Sequence, residues 1–113
     1  MKDVNIYFSD KKLKDAYINW KKEDPKFYRF LKRATDEIKK NPNVGEHVSN
    51  KQIPKSFYKK FPDAIDSAIF VYKLPKAWRM IYALRGSEIE ILAIILEICN
   101  HNKYDDIFGY HTS

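Results

Sequence analysis

The sequence has few of the residues on which common metal and phosphate sites depend. It contains one cysteine and three glycines in 113 residues. The glycines are far apart, so the chain has no phosphate-binding glycine loop. No cysteine cluster and no His-Glu-x-x-His motif occurs, which argues against the common zinc sites. His101, Asp105 and His111 could together bind a metal, but their spacing is not specific. We expect neither a metal nor another cofactor.

Long hydrophobic runs are also absent. The most apolar stretch, Ile89–Cys99, is too short for a transmembrane helix and contains Glu97. The first residues lack the apolar core of a signal peptide. The lone Cys99 cannot form an intramolecular disulfide and fits a small buried thiol in a reducing compartment. We therefore expect a cytoplasmic protein with one domain over residues 1–113 and no membrane partner.

Positive charge is in excess. The chain has 21 Lys and Arg against 15 Asp and Glu, which gives a formal net charge of +6. This excess permits nucleic-acid binding through phosphate contacts, and it equally fits an acidic protein partner. A composition rich in lysine and isoleucine can also reflect genome bias, so the charge alone does not decide between these explanations.

The first part of the chain predicts a strand followed by two helices. Val4–Phe8 alternates as a short strand does. Apolar residues then recur at helical spacing over residues 13–20. A second helix begins with Asp24 as its cap and Pro25 in its first position, and it carries an apolar stripe over residues 27–38. The connection between the helices is short, which favours an antiparallel hairpin against a sheet.

The stretch Ala68–His101 predicts three antiparallel strands separated by two short breakers. Alternation in the middle strand gives one fully apolar face and places Arg79 on the other. The third strand is apolar on both faces over residues 92–96, which indicates cover on both sides. The predicted fold is α+β: an N-terminal strand and a two-helix hairpin packed on a mainly antiparallel sheet with a C-terminal three-stranded meander. The side chains expected to be largely buried are Trp20, Leu31, Ile81, Ile91 and Ile95.

Lysines and aromatic residues are interleaved between residues 42 and 67, around a possible short helix after Pro54. This mixture is typical of surfaces that bind single-stranded nucleic acid by stacking and charge. Alternatively the aromatics anchor the loop to the core, which we favour for Phe57 and Phe61. The second helix also has a basic ridge, which could equally be a solvated face. The residues predicted to bind RNA, on one electropositive surface continuous with Arg79, are Arg29, Arg33, Lys51, Lys55, Lys59 and Lys60.

The remaining polar residues of the C-terminal region suit cleavage of RNA by its own 2′-hydroxyl. Such a catalyst orients the hydroxyl, assists proton transfer and stabilises charge on the phosphate. Arg79 suits the phosphate and His101 titrates near neutrality, whereas a tyrosine with a pKa of about 10 is a poor general base. Alternatively Arg79 pairs with a carboxylate such as Glu90, His101 ends a strand and the tyrosines only pack. The candidate catalytic residues are Arg79, His101, Tyr104, Asp105 and Tyr110.

The order of the predicted elements resembles the RelE/ParE superfamily of toxins from toxin–antitoxin systems. The local resemblance lies in Val71-Tyr-Lys-Leu-Pro75, Trp78-Arg-Met-Ile-Tyr82 and His101-Asn-Lys-Tyr-Asp-Asp-Ile-Phe-Gly-Tyr110. The middle segment looks like the family's strand of an aromatic residue, arginine, two hydrophobic residues and tyrosine. The last looks like its closing His-x-x-Tyr element.

This resemblance implies a RelE-like fold and a metal-independent endoribonuclease that cleaves messenger RNA, usually on the ribosome. It implies that Arg79 binds the phosphate, that His101 and Tyr104 belong to the catalytic elements, and that the basic loop faces RNA. The implied partners are messenger RNA, the ribosome and a cognate antitoxin. ParE-like members instead inhibit DNA gyrase without catalysis, and a non-catalytic RNA-binding domain of the same fold is a third possibility.

Overall fold

Within residues 2–110, which the computed structural model describes, five strands form one sheet and four helices cover its two faces. The strand order is β1-β5-β4-β3-β2, with β1 parallel to β5 and the other pairs antiparallel. The predicted α+β architecture and mainly antiparallel sheet are confirmed. The elements are β1 (Asp3–Phe8), α1 (Lys11–Glu23), α2 (Pro25–Lys40), β2 (Glu46–Val48), α3 (Lys55–Lys60), β3 (Ala68–Lys73), β4 (Arg79–Gly86), β5 (Glu90–Cys99) and α4 (His101–Phe108).

Helices α1 and α2 form the predicted hairpin, and their caps explain where they begin. Asp10 accepts a hydrogen bond from the Leu13 amide at 2.7 Å and so caps α1. Asp24 is the single residue between the helices, and its carboxylate accepts from the Phe27 amide at 3.1 Å. Pro25 then occupies the first helical position, where its missing N–H costs nothing. Residues 2–110 contain no helix long and apolar enough to cross a membrane.

The sheet separates two hydrophobic cores. On one face, Leu31, Ala34 and Ile38 of α2 pack with Met80 and Tyr82 of β4, together with residues of α1 and β5. The second core, on the opposite face, is closed by α3 and α4 and by the loop between α3 and β3. Cover on both faces is what the apolar run at residues 92–96 predicted.

Most, but not all, of the predicted core is buried. Leu31, Ile81 and Ile95 have no exposed surface. Trp20 and Ile91 are partly buried and keep some exposed surface. Trp20 lies near the end of α1, where the hairpin turns. Ile91 lies near the beginning of β5, opposite Gly86 at the end of β4.

The chain after β5 departs from the prediction of a strand running into His101. The strand ends at Cys99, and the Asn100 side chain accepts a hydrogen bond from the Lys103 amide at 3.0 Å, which starts α4. Gly109 ends the helix with a left-handed φ of 72°, a conformation that glycine adopts without strain. His101 is therefore the first residue of a helix rather than the last residue of a strand.

The pairing of β4 with β5 contains one irregularity. Ile81 lies opposite Glu97 while the next residue, Tyr82, lies opposite Ile95. Leu96 is thus an extra residue, as in a β-bulge. Glu97 consequently shares a sheet face with Ile81.

Candidate functional site

The candidate site lies at the end of the sheet where β4 begins and β5 ends. Arg79 is the first residue of β4 and pairs with Lys73 on one side and Cys99 on the other. Directly opposite residues of paired strands point to the same face. This row lies on the face that α3 and α4 cover, and α4 begins at His101, two residues after Cys99.

Arg79 has no carboxylate partner among residues 2–110. Its Nη1 donates a hydrogen bond to the Trp78 carbonyl at 3.0 Å, and its guanidinium carbon lies 5.8 Å from the centre of the Tyr104 ring. Glu90, the carboxylate considered as an alternative partner, lies near the other end of β5 and accepts a hydrogen bond from Asn5. The half-buried guanidinium thus retains donors for an anionic ligand.

His101 and Asp105 form a pair on the first turn of α4. The distance from His101 Nε2 to Asp105 Oδ2 is 3.4 Å. The His101 side chain is 59% exposed and that of Asp105 is 28% exposed. The imidazole is therefore accessible to a ligand.

The two tyrosines pack against each other and against the core. The Tyr104 ring lies 4.9 Å from that of Phe108 and 6.1 Å from that of Tyr110. Burial, with a smaller contribution from Tyr110, raises the pKa of Tyr104 to about 12 although Arg79 opposes the shift. The phenol is thus protonated at neutral pH and can donate a hydrogen bond but cannot serve as a base. Tyr110 is 40% exposed and stacks on Phe108.

The site contains charged residues that the sequence analysis missed. Lys73 Nζ lies 3.8 Å from Glu46 Oε2, and the charge of Glu46 also acts on Tyr104. Lys73 lies two residues after Val71 in β3, so strand alternation and the β3–β4 pairing could have placed it beside Arg79. No feature of the local sequence predicts the position of Glu46. Lys103 lies 3.0 Å from Glu97. Both lysines therefore already have carboxylate partners.

The predicted RNA-binding residues fall into two groups. Lys51, in a short turn, and Lys55, Lys59 and Lys60, in α3, are exposed. Helix α3 packs on the same sheet face as Arg79, and its Phe57 ring lies 5.2 Å from that of Phe108 in α4. The preference for Phe57 and Phe61 as core anchors is confirmed, since they are 1% and 6% exposed.

Arg29 and Arg33 form the second group, on α2. This helix packs on the opposite face of the sheet, and Arg33 Nε lies 3.6 Å from Glu37 Oε1. The prediction of one basic surface that includes these two arginines is wrong, because the whole sheet lies between them and α3. Sequence spacing identified the exposed side of each helix but not the side of the sheet on which each helix packs.

A cleft of about 520 Å³ lies beside the site, between the beginning of α1 and the end of β5. Lys12, Lys60 and Lys103 line it, but so do the carboxylates of Asp10, Asp63 and Glu97. Its charge is therefore balanced, and none of the candidate catalytic residues lines it. The arrangement of charges favours the surface around Arg79, rather than this cleft, for an anionic ligand.

Residues 2–110 contain no group of three His, Cys, Asp or Glu side chains that could hold a metal. His101 and Asp105 are close, but His111 lies outside the described residues. Cys99 is buried, as predicted, and burial raises the pKa of its thiol to about 11. A protonated, buried thiol is a poor nucleophile.

Comparisons with known protein families, with curated proteins and with solved structures found no match. Membership of the RelE/ParE superfamily thus stays a prediction that depends on the motifs and the order of elements.

Proposed function

We propose that the protein is a RelE-like toxin: a metal-independent endoribonuclease that cleaves ribosome-associated messenger RNA in the cytoplasm and is neutralised by a cognate antitoxin. The observation that carries this proposal is the position and environment of Arg79. This residue begins strand β4, at the same sheet end where α4 carries the His101–Asp105 pair, and it lacks a carboxylate partner among the described residues.

The reaction that fits these groups is an internal transesterification. The 2′-oxygen of a ribose forms a bond to the neighbouring phosphorus while the bond from phosphorus to the 5′-oxygen breaks. A cyclic phosphate and a 5′-hydroxyl result. One proton leaves the 2′-hydroxyl and one must reach the departing 5′-oxygen, so no metal, oxidant or other co-reactant is needed.

Each residue of the site has a role in this reaction. Arg79 donates hydrogen bonds to the phosphate oxygens, whose negative charge increases in the transition state. His101 exchanges a proton with a reacting oxygen, and Asp105, 3.4 Å away, orients the imidazole. Tyr104 keeps its proton and holds the Arg79 guanidinium through its ring face. Tyr110, partly exposed beside it, is placed to contact the substrate.

Expression of the protein and of site variants tests this proposal. The wild type should arrest growth and shorten messenger RNA, and Arg79→Ala combined with His101→Ala should relieve both effects. Arg79→Ala alone removes the side chain that binds the phosphate, and it should slow cleavage by the purified protein about 10²–10³-fold. Arg85→Ala is a matched control. It removes an arginine from the same strand, where its side chain bonds to the Asp63 and Ile65 carbonyls far from the site.

Denaturation curves must show that the Arg79 and His101 variants remain folded. Arrest that persists in the folded double variant contradicts the proposed catalytic residues. A purified protein that leaves ribosome-bound message intact but blocks DNA supercoiling by gyrase would instead support the ParE-like alternative.

A further inference from the structure

A group of half-buried aromatic side chains occupies the same end of the domain as Arg79. Trp20, Phe27 and Trp78 contact one another edge to face, with ring centres 5.1–5.8 Å apart. Phe30 lies beside them without a ring partner among the described residues. We name these four residues the aromatic platform. They line an open depression of about 280 Å³ and keep part of their surface in solvent.

Two exposed lysines flank the aromatic platform. Lys26 of α2 and Lys76 of the β3–β4 turn line the same depression. Asp24 also lines it, but its carboxylate is used to cap α2 through the Phe27 amide. Aromatic faces bordered by cations are the arrangement that binds unpaired bases and their phosphates.

The turn that carries Lys76 is strained. Lys76 and Ala77 have φ values of 59° and 61°, which place two consecutive non-glycine residues in the left-handed region. Hairpin turns of this kind normally use Asn-Gly. The Trp78 amide donates to the Pro75 carbonyl at 3.3 Å and the Leu74 amide donates to the Trp78 carbonyl at 2.9 Å. The strained backbone places Lys76 at the tip of the turn, and the two hydrogen bonds fix the backbone of Trp78.

The aromatic platform is also continuous with Arg79. Trp78 precedes Arg79 in the chain, and its carbonyl accepts the hydrogen bond from the Arg79 guanidinium. Alternation directs the two side chains to opposite faces of the same sheet end. A strand whose phosphate is bound by Arg79 could therefore pass around this end and place a neighbouring base at Trp78.

We infer that the aromatic platform, with Lys26 and Lys76, is a stacking subsite for unpaired bases of the RNA strand held at Arg79. This inference rests on the proposed function, and it adds how the substrate is recognised. The subsite binds bases by their faces, so it distinguishes single-stranded from paired RNA and has little preference for one base over another.

A binding titration separates stacking from charge. The probe is a short single-stranded 2′-O-methyl RNA, which cannot be cleaved through its 2′-oxygen, and the comparison is an abasic oligomer of equal length. The base-bearing probe should bind at least about fivefold more tightly than the abasic one, the minimum expected for one stacked base, and should quench tryptophan fluorescence.

Variants assign the effect to the subsite. Phe30→Ala should weaken binding of the base-bearing probe by at least about fivefold and leave the abasic probe unaffected. Lys76→Asn should weaken both probes yet preserve or increase stability, because asparagine tolerates the left-handed conformation. A purely structural lysine would not separate stability from binding in this way. The matched controls, Tyr7→Ala on β1 and Lys14→Asn on α1, should bind as the wild type does.

Equal affinity of the wild type for the two probes, wild-type binding by Phe30→Ala, or no RNA binding at all would overturn the inference. So would RNA binding that survives Phe30→Ala while a protein partner is lost, since the surface would then be a protein interface. If the subsite fails but cleavage still requires Arg79, the proposed function stands. If base-dependent binding is found without cleavage, the proposed activity fails and the subsite remains as an RNA-binding site.

Discussion

The hydroxyl of Tyr82 fastens the loop after α2 to the middle of the sheet. Tyr82 is fully buried on β4, donates a hydrogen bond to the Pro42 carbonyl at 2.8 Å and accepts one from the Gly45 amide at 3.0 Å. Tyr82→Phe removes both bonds but keeps the ring, which stacks on Phe70 at 5.5 Å. At about 0.5–1.5 kcal/mol per hydrogen bond, we expect a loss of roughly 1–3 kcal/mol of unfolding free energy.

Urea denaturation measures this loss. The midpoint should fall by about 1 M with an unchanged slope, because the surface exposed on unfolding is nearly the same. Tyr58→Phe is the control, since Tyr58 packs partly buried against the core but its hydroxyl has no hydrogen-bond partner among the described residues. Equal midpoints for Tyr82→Phe, Tyr58→Phe and the wild type would refute the assignment of stability to this hydroxyl.

Gly45 provides a second test of the same contact. An added Cβ would lie 2.8 Å from the Tyr82 hydroxyl and 2.9 Å from the Val71 carbonyl, so Gly45→Ala should destabilise the fold. Tyr82→Phe removes the first clash but not the second. The double variant should therefore lose less stability than the sum of the two single losses, and strict additivity would show that the groups do not interact.

Two further predictions concern the basic surface and the buried phenol. Lys55→Glu with Lys59→Glu should weaken binding to ribosomes and to single-stranded RNA, and the effect should shrink as salt rises. An unchanged affinity and salt slope would remove nucleic acid from the role of α3. The Tyr104 pKa of about 12 exceeds the unfolded value of 10.0, so the protein should lose stability as pH rises from 10.0 to about 12. Tyr104→Phe should reduce this loss, and an identical pH dependence would contradict the assignment.

The helical hairpin could be predicted because its determinants are local. Asp10, Asp24 and Pro25 act within the first turn of each helix, and the apolar stripes require only the helical period. The meander was predictable for a similar reason, since β-branched runs and breakers are visible along the chain. Such features depend on residues near one another in the sequence and little on contacts between distant parts of the chain.

Helix α4 and strand β2 were not predicted, for different reasons. Tyr104, Ile107 and Phe108 have helical spacing, Asn100 is a good cap and Gly109 a good end, so the signals for α4 were present. These signals were overlooked because the apolar run of β5 continues to Cys99 and suggested a strand that extends to His101. Strand β2 has only three residues and depends on pairing with β3, so its own sequence carries no usable period.

The candidate site was predicted in part. Arg79 and Tyr104 do meet, because the antiparallel pairing of β4 with β5 places Arg79 opposite Cys99, just before α4. His101 and Asp105 do pair, because they are one helical turn apart. The contribution of Glu46 could not be predicted, since it depends on the register of β2. The same limit explains the error over the α2 arginines: helical periodicity shows which residues are exposed but not which side of the sheet a helix covers.

The bulge at Leu96 determines where the positive charge of the site is concentrated. With regular alternation, Glu97 would share the face of Ile95, inside the core beneath α1 and α2, where an unpaired carboxylate would be costly. The extra residue instead turns Glu97 to the other face, where it lies 3.0 Å from Lys103. Its Oε1 also accepts a hydrogen bond from the Ile98 amide at 3.1 Å.

This rearrangement distinguishes Arg79 from Lys103 and Lys73, which flank it at this end of the sheet. Lys103 has Glu97 as its partner and Lys73 has Glu46. Arg79, in contrast, has no carboxylate within 4.0 Å among residues 2–110. In the proposed reaction, an approaching phosphate would therefore gain more at Arg79 than at either lysine, at the same sheet end as the exposed imidazole of His101. A sequence-level count of basic residues cannot make this distinction, because it depends on one inserted residue in β5.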